Sequence, residues 1–310
     1  MLDLIYFMLL ILMVLLSVAF FTLMERKILG YCHIRKGPNK TGMMGFFQPF
    51  SDALKLFSKE MNVMFYMNKM LQFLSPLMMM MMMMMMMMVF NFYNNAMNLN
   101  LSLIFFICIS GMSSYTILLS GWTSNSKYSL IGAYRGFAQV ISYEVSMAMI
   151  LISLAILPEG FNFMKFMNLQ EKYSLMFSFI PIFFIWILTI LAELNRVPFD
   201  LSEGESELVS GFNIEYGSWL FAIIFMSEYG SIMIISYITN YLFLGMKMEF
   251  LILMLMMLFI LIRGTYPRMR YDQLMMMAWK IILPLSMIFL FLTFLFFYST
   301  FRFICINFWN

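Results

Sequence analysis

The chain has 310 residues, 63% of them hydrophobic and only 11% charged, with a formal net charge of +3 and a mean hydropathy of +0.87. That composition excludes a soluble globular domain and reads as an all-α polytopic membrane protein. No short apolar stretch with a basic lead and a small-residue cleavage site stands at the start, so Met1 reads as the mature start.

Taken in chain order, the apolar stretches give about eight spans. Leu4 to Met24 is uncharged and long enough for a core of about 30 Å. The loop after it carries a helix started by Pro49. Phe46, Phe50, Ala53, Leu54 and Phe57 share a face while Asp52, Lys55 and Lys59 fall off it, the pattern of an interfacial amphipathic helix or of one packed on a partner subunit. Further spans run from about Met70 to Tyr93, Leu99 to Leu119, Val140 to Leu157, Tyr173 to Ala192, Ser218 to Leu244, Phe250 to Ile262 and Ile281 to Phe301. The seventh is short, so snorkelling at Lys247 and Arg263 or local thinning has to make up the difference. The chain thus reads as one membrane unit, 1–310, with a loop 25–69 bearing the interfacial helix, an acidic loop 192–217 and a basic loop 263–280.

Charge sets the orientation. The loops after spans one, three, five and seven hold 8, 2, 1 and 4 Lys plus Arg, which is 15 of the 19, whereas the other side keeps Lys165, Lys172, Lys247 and Arg302. The odd loops therefore face the cytoplasm or matrix, and both termini face the opposite side. Forty methionines, unbroken from Met78 to Met88, beside only ten alanines, are what an AT-rich gene would encode if AUA were read as Met, and they point to an organelle-encoded chain. The run itself reads as flexible apolar filler rather than a soft-metal site.

The chemistry-bearing residues are acidic. Ala192 to Gly211 reads AELNRVPFDLSEGESELVSG, with Glu193, Asp200, Glu203, Glu205 and Glu207, then Glu215, sharing Arg196 as their only nearby cation in sequence. If part of this loop is buried, its carboxylates cannot all ionise and they become proton exchangers; a solvated acidic loop is the other reading. Glu144 falls about a turn and a half into the fourth apolar stretch and Glu228 about ten residues into the sixth. Carboxylates at such depth must be paired, turned inward or beside water, and a proton path explains two of them better than a structural hydrogen bond does. Tyr143 and Tyr229 offer adjacent hydroxyls.

Cys32, Cys108 and Cys305 form no CxxC pair, which leaves no iron-sulfur or zinc motif, and no Gly-rich phosphate loop occurs for a dinucleotide or ATP. His33 reads as a polar loop residue. A stand-alone secondary transporter lacks its matched pair of broken helices, and a pure anchor leaves Glu144 and Glu228 unexplained.

Five segments carry a family resemblance: ERKILGYCHIRKGPNKTG from Glu25, QPFSDALKLFSKE from Gln48, AQVISYEVSMA from Ala138, AELNRVPFDLSEGESELVSGFNIEY from Ala192, and RGTYPRMRYDQLMMMAWK from Arg263. They closely resemble the subunit 1 family of mitochondrial NADH dehydrogenase, the heel subunits of respiratory complex I, over nearly the whole chain. A related membrane subunit of hydrogenase complexes is the nearer alternative, against which the mitochondrial-style composition argues. The resemblance implies a mitochondrial inner-membrane subunit of a proton-pumping NADH:ubiquinone oxidoreductase. It would bind ubiquinone as substrate, with flavin and iron-sulfur clusters on partner subunits of the peripheral quinone module, other partners in the membrane arm and the lipids, and no nucleic acid.

Carried onto matching positions, the resemblance assigns Glu25, Arg26, Arg35, Phe46, Phe50, Asp52, Ala53, Phe225 and Met226 to a quinone channel. It assigns Glu144, Glu193, Asp200, Glu203, Glu205, Glu207 and Glu228 to an acidic proton path, with Arg135 and Arg196 as countercharges. His33 stands where relatives usually have Gln, so no role is carried over to it. The methionine tract likewise replaces mixed apolar residues and puts no functional position in doubt.

Overall fold

Where no water is at hand to satisfy backbone N–H and C=O groups, a spanning apolar run closes its hydrogen bonds within itself as a helix. The computed structural model describes residues 2–61, 67–89, 99–171, 174–245 and 250–309, with side chains described outside 2–7, 205–206 and 300–309; every regular element among them is helical. Lys172 and Lys247 therefore lie outside the described residues, as do the side chains of Glu205, Arg302 and Cys305.

The elements in order are α1 (Leu2–Cys32), α2 (Gln48–Ser58), α3 (Lys69–Met87), α4 (Ser102–Thr123), α5 (Lys127–Ala155), α6 (Phe163–Leu169), α7 (Leu175–Ser178), α8 (Ile180–Glu193), α9 (Glu205–Leu208), α10 (Ser218–Thr239), α11 (Phe250–Thr265), α12 (Tyr271–Met277) and α13 (Leu283–Trp309). Among the described residues six helices are long and apolar enough to cross a membrane, and α8 and α11 are shorter apolar helices, so the eight apolar stretches all recur as helix.

Several boundaries differ from the sequence reading for local reasons. The first helix continues past its apolar run through Glu25 to Cys32, and the buried Glu25 finds partners on other helices. The helix holding Glu144 starts at Lys127 rather than Val140. Glu144 thus sits about 17 residues, roughly 26 Å, along α5, not a turn and a half from its start. The fifth stretch is broken at Phe179, two residues before Pro181, whose ring disfavours helix on its N-terminal side. Likewise a π turn over Ala278–Ile282 precedes Pro284 and joins α12 to α13, so the last span begins near Tyr271 instead of Ile281.

In the bundle α5 is central. It packs along α4, α8 and α13, while α3 bridges α4 and α10, and α1 lies against α10 and α11. Trp186, Tyr143, Phe106, Phe166 and Phe243 fill the interior, and α13 turns large apolar side chains such as Phe291, Leu295 and Phe296 outward, as a lipid-facing helix does. The short α2 lies across α1 and α10 with Phe50, Leu54 and Phe57 exposed along one face. Phe50 meets Phe20 edge-on at 6.2 Å.

Candidate functional site

The acidic loop begins where α8 ends. Leu194 closes the helix and Asn195 takes a left-handed conformation at φ 50°, which Asn tolerates better than most residues, turning the chain so that Arg196 points back into the bundle. Gln139, fully buried on α5, donates through Nε2 to the carbonyls of Ala192 and Phe199 at 2.7 Å each, fixing both ends of this turn. The loop then runs close against α5. Gly132 and Gly136, one turn apart, present bare backbone to Ser202 and Gly211, and a methyl at Gly136 would come within 2.9 Å of Ser202 Cβ.

This folding brings together charges far apart in sequence. Glu25 of α1 accepts from Arg263 of α11, and its other oxygen accepts from the Tyr229 hydroxyl at 2.5 Å. The Arg196 guanidinium lies 4.4 Å over the Tyr229 ring and 3.6 Å from the Glu228 carboxylate. Arg268 donates to Asp200 at 3.0 Å, and Asp200 in turn accepts from the backbone N–H of Glu203 at 3.1 Å. Asn213 donates to Glu203 at 2.8 Å. Arg196, the only cation near these carboxylates in sequence, is thus joined in space by Arg268 at Asp200. Arg263 and Arg268 come from the basic loop, whose backbone is tied to the acidic one by Met269 N–H donating to the Pro198 carbonyl at 3.0 Å.

Outside the bilayer-length helices, burial decides how the loop carboxyls titrate. Burial raises Glu203 above its ordinary 4.5, with neighbouring Asp200 adding to the rise and Arg196 opposing it. Burial also raises Asp200, against the pull of Arg268. Both are poised to hold protons more tightly than a solvated carboxylate would.

A cavity of about 100 Å³ opens beside this cluster. Glu193, Glu203 and Glu228 reach it together with Asn195 and Ser202; α4 contributes Ser113 and Thr116, and α10 contributes Ser227 and Ser231. The facing wall is Met79, Met82, Met83 and Met86, spaced so as to fall on one side of α3. The methionine tract thus lines the same cavity as the acidic residues, because of where α3 packs. A smaller cavity of about 20 Å³ lies between Glu25, Arg196 and Arg263.

Other expected residues stand apart. Arg135 of α5 pairs with Glu207 at 2.6 Å, Arg135 half-buried and Glu207 exposed. Arg26 pairs with Asp52, joining α1 to α2, and Gln48 adds a second donor to Asp52 at 3.0 Å. Lys27 lies 5.5 Å over the Phe46 ring, and Ala53 is half-buried on α2. Arg35 and His33 are exposed just beyond α1. Phe225 and Met226 are half-buried on α10, with Phe225 packing between Phe221 at 4.4 Å and Tyr229 at 6.3 Å. Glu144 packs over Gly111 of α4, where a Cβ would meet the carboxylate at 2.5 Å. Tyr143 does not join the acidic line: its hydroxyl is spent on the Leu274 carbonyl at 3.0 Å in the core.

Sequence reasoning missed Arg263 and Arg268 as site residues, together with Asn213 and the hydroxyl and methionine walls of the cavity. The two arginines carried a signal, being basic residues in a segment singled out for other reasons. The hydroxyls carried none. Among the described residues no three His, Cys, Asp or Glu side chains are grouped to hold a metal ion.

An all-helical bundle of membrane-length apolar helices, with carboxylates and guanidiniums paired in its interior, defines a polytopic membrane protein. A family model described as NADH dehydrogenase matches residues 5–294. The chain is 74% identical over 311 residues to "NADH-ubiquinone oxidoreductase chain 1" of Rhipicephalus sanguineus, covering 100% of this chain and 99% of that one. Proteins of the same name from Locusta migratoria, 48% identical over 92% of both chains, and Aedes aegypti, 45% identical over 94% of both, are also similar. The chain belongs to the NADH dehydrogenase family so defined.

Proposed function

We propose that this chain is the membrane subunit of a proton-pumping NADH:ubiquinone oxidoreductase of the mitochondrial inner membrane. In this reading it forms the membrane part of the ubiquinone channel and couples quinone reduction to proton movement through its acidic residues. The observation that carries the reading is the continuous line from Glu25, through Tyr229 and Arg196, to Glu228 and the cavity it shares with Glu203 and Glu193. Charged groups in a bilayer protein are costly, and a connected row of them marks a conduction route.

The exposed apolar face of α2, which packs on α10, supplies with Phe225 and Met226 of α10 the greasy approach that an isoprenoid tail needs. The Arg26–Asp52 and Arg263–Glu25 pairs supply polar groups for a headgroup. Quinone reduction takes up protons and electrons and alters the local field. The buried, proton-retaining Asp200 and Glu203 are placed to respond, passing changes in protonation to Glu228, Glu193 and Glu144. Both termini face the intermembrane space, and electrons arrive from flavin and iron-sulfur clusters on partner subunits.

Photo-crosslinking of inner membranes with a ubiquinone analogue tests the channel. Label competed by excess ubiquinone is expected on segments around Glu25 to Ala53 and Phe225 to Tyr229. Competed label confined to other subunits of active complex would refute quinone contact by this chain.

A further inference from the structure

Away from the charged cluster, a larger cavity of about 540 Å³ forms where the chain breaks between α7 and α8. Pro181 has no N–H for the Phe177 carbonyl and disfavours helix before it, so Phe179 leaves the helical conformation at φ −129° and ψ 49°. Ser178, Phe179 and Pro181 line the cavity at this break. Across from them Phe289, Leu292, Thr293 and Phe296 recur at i, i+3, i+4 and i+7, one face of α13. Buried Ile182 and half-buried Leu157 complete the wall.

The chemistry of the lining selects a hydrocarbon. Among the described residues no charged side chain reaches it, and the Thr293 hydroxyl is already donated to the Leu290 carbonyl at 2.9 Å. Apolar cavities stay dry, and a void of this size in a close-packed protein forfeits the contacts of every side chain around it. Leu292 and Phe296 are exposed, so the cavity is continuous with the outward apolar face that Phe291 and Leu295 extend along α13. It also lies at the end of α8 opposite the acidic loop, with 14 residues or roughly 21 Å of helix between them. The bilayer, rather than the charged cluster, is therefore its source of ligand.

We propose that this cavity seats one acyl chain of a diacyl phospholipid. The chain fills the wedge between α8 and α13, held by Ile182 on one side and by Phe289, Leu292 and Phe296 on the other. The Ser178 hydroxyl at the rim donates to an ester carbonyl of the lipid. A partner helix, about 10 Å across, is too thick to enter the same space. Such a lipid holds α13 against α8 and is independent of the ubiquinone channel, so its absence would leave that reading untouched.

The test labels inner-membrane vesicles containing the assembled complex with a phosphatidylcholine that carries a diazirine at the end of one acyl chain. Leu292→Trp and Ser178→Trp place a bulky ring at the cavity from α13 and α7, so the result does not hang on one variant. Leu295→Trp, also exposed on α13 but outside the cavity, is the control. Label competed by unlabelled phosphatidylcholine is expected on residues 178–182 and 289–296 of the wild type and of Leu295→Trp. The two cavity variants should lose about tenfold of it, the scale of a misfit in an apolar pocket. Equal labelling of all four proteins would mean that lipid only brushes this surface, and the seat would not exist. Label displaced by excess ubiquinone but not by phosphatidylcholine would give the space to an isoprenoid tail. Absence of label, with a photoreactive group at position 292 captured by another subunit, would give it to protein. Each of these three results overturns the proposal.

Discussion

Glu203 sits in the acidic loop with Asn213 donating to it and Asp200 close by, and among the described side chains no cation lies within ion-pair distance of it. Burial first, with Asp200 adding to it and against the pull of Arg196 and Asn213, makes its carboxyl bind a proton more readily in the folded chain than the ordinary value of 4.5 allows. Because the folded pKa is the raised one, the folded state gains over the unfolded in acid. That advantage is lost as pH climbs through the folded pKa, where the group must ionise in place. Glu203→Gln removes the titration. The variant complex is expected to show thermal-inactivation midpoints that fall less steeply between mildly acid and alkaline buffer than those of the wild type. Parallel slopes in the two proteins would mean that Glu203 is already ionised and solvated. At this scale the acids were legible in the sequence, because a carboxylate is conspicuous in a chain only 11% charged. Their partners were not, since Arg263 is 238 positions from Glu25 and Arg268 is 68 from Asp200, separations that local pattern cannot bridge. Serine carried no signal either, as its hydroxyl bonds its own helix in apolar and polar settings alike.

At the scale of elements, apolar length and amphipathic spacing predicted eight hydrophobic helices and α2, because bilayer thickness and helical period act within a short window. The N-terminal half of α5 escaped that reading. From Lys127 to Gln139 the chain is too polar and Gly-rich to look like a span, yet it is helical, and its glycines receive the acidic loop. The approach of Gly132 and Gly136 to Ser202 and Gly211 leaves no space for side chains, and Gly211, at φ +55°, is itself in a conformation that L side chains rarely adopt. Gly136→Ala places a methyl against Ser202, and overpacking of this kind costs about 1–3 kcal/mol. The helix itself gains from Ala, so a loss of stability has to come from the contact with the loop. We expect faster hydrogen exchange in residues 199–211 of the assembled complex and little change within α5. Uniform behaviour across both segments would show that the loop does not depend on this seat.

On the scale of the whole molecule the ion pairs form a circuit rather than a set of separate contacts. Arg196 meets Glu228 and the Tyr229 ring on α10, Tyr229 and Arg263 of α11 both bind Glu25 on α1, and Arg268, a few residues beyond Arg263, returns to Asp200 in the loop that began at Arg196. Three carboxylates are matched by three guanidiniums, which leaves Glu144, Glu193 and Glu203 of the acidic row without an ion pair among the described side chains. Such a circuit fixes helices from opposite ends of the chain at the depth where the cavity lies, and it makes the cost of removing one member depend on what remains. Arg196→Met leaves Glu228 buried opposite no cation, and breaking a buried pair in this way costs about 3–5 kcal/mol. That variant is expected to yield much less assembled complex on native gels. Arg196→Met combined with Glu228→Gln removes both charges, so assembly should recover, since a neutral amide carries no such penalty. Proton-coupled ubiquinone reduction should remain low in the double variant, because the introduced amide cannot exchange a proton as a carboxyl does and the link between Glu25 and the cavity is cut. Recovery of assembly and of coupled turnover together would assign the pair a structural role alone. Failure of the double variant to assemble would instead mean that Arg196 holds the loop through its stacking on Tyr229, which Arg196→Lys, with the charge kept and the planar group lost, would then reproduce.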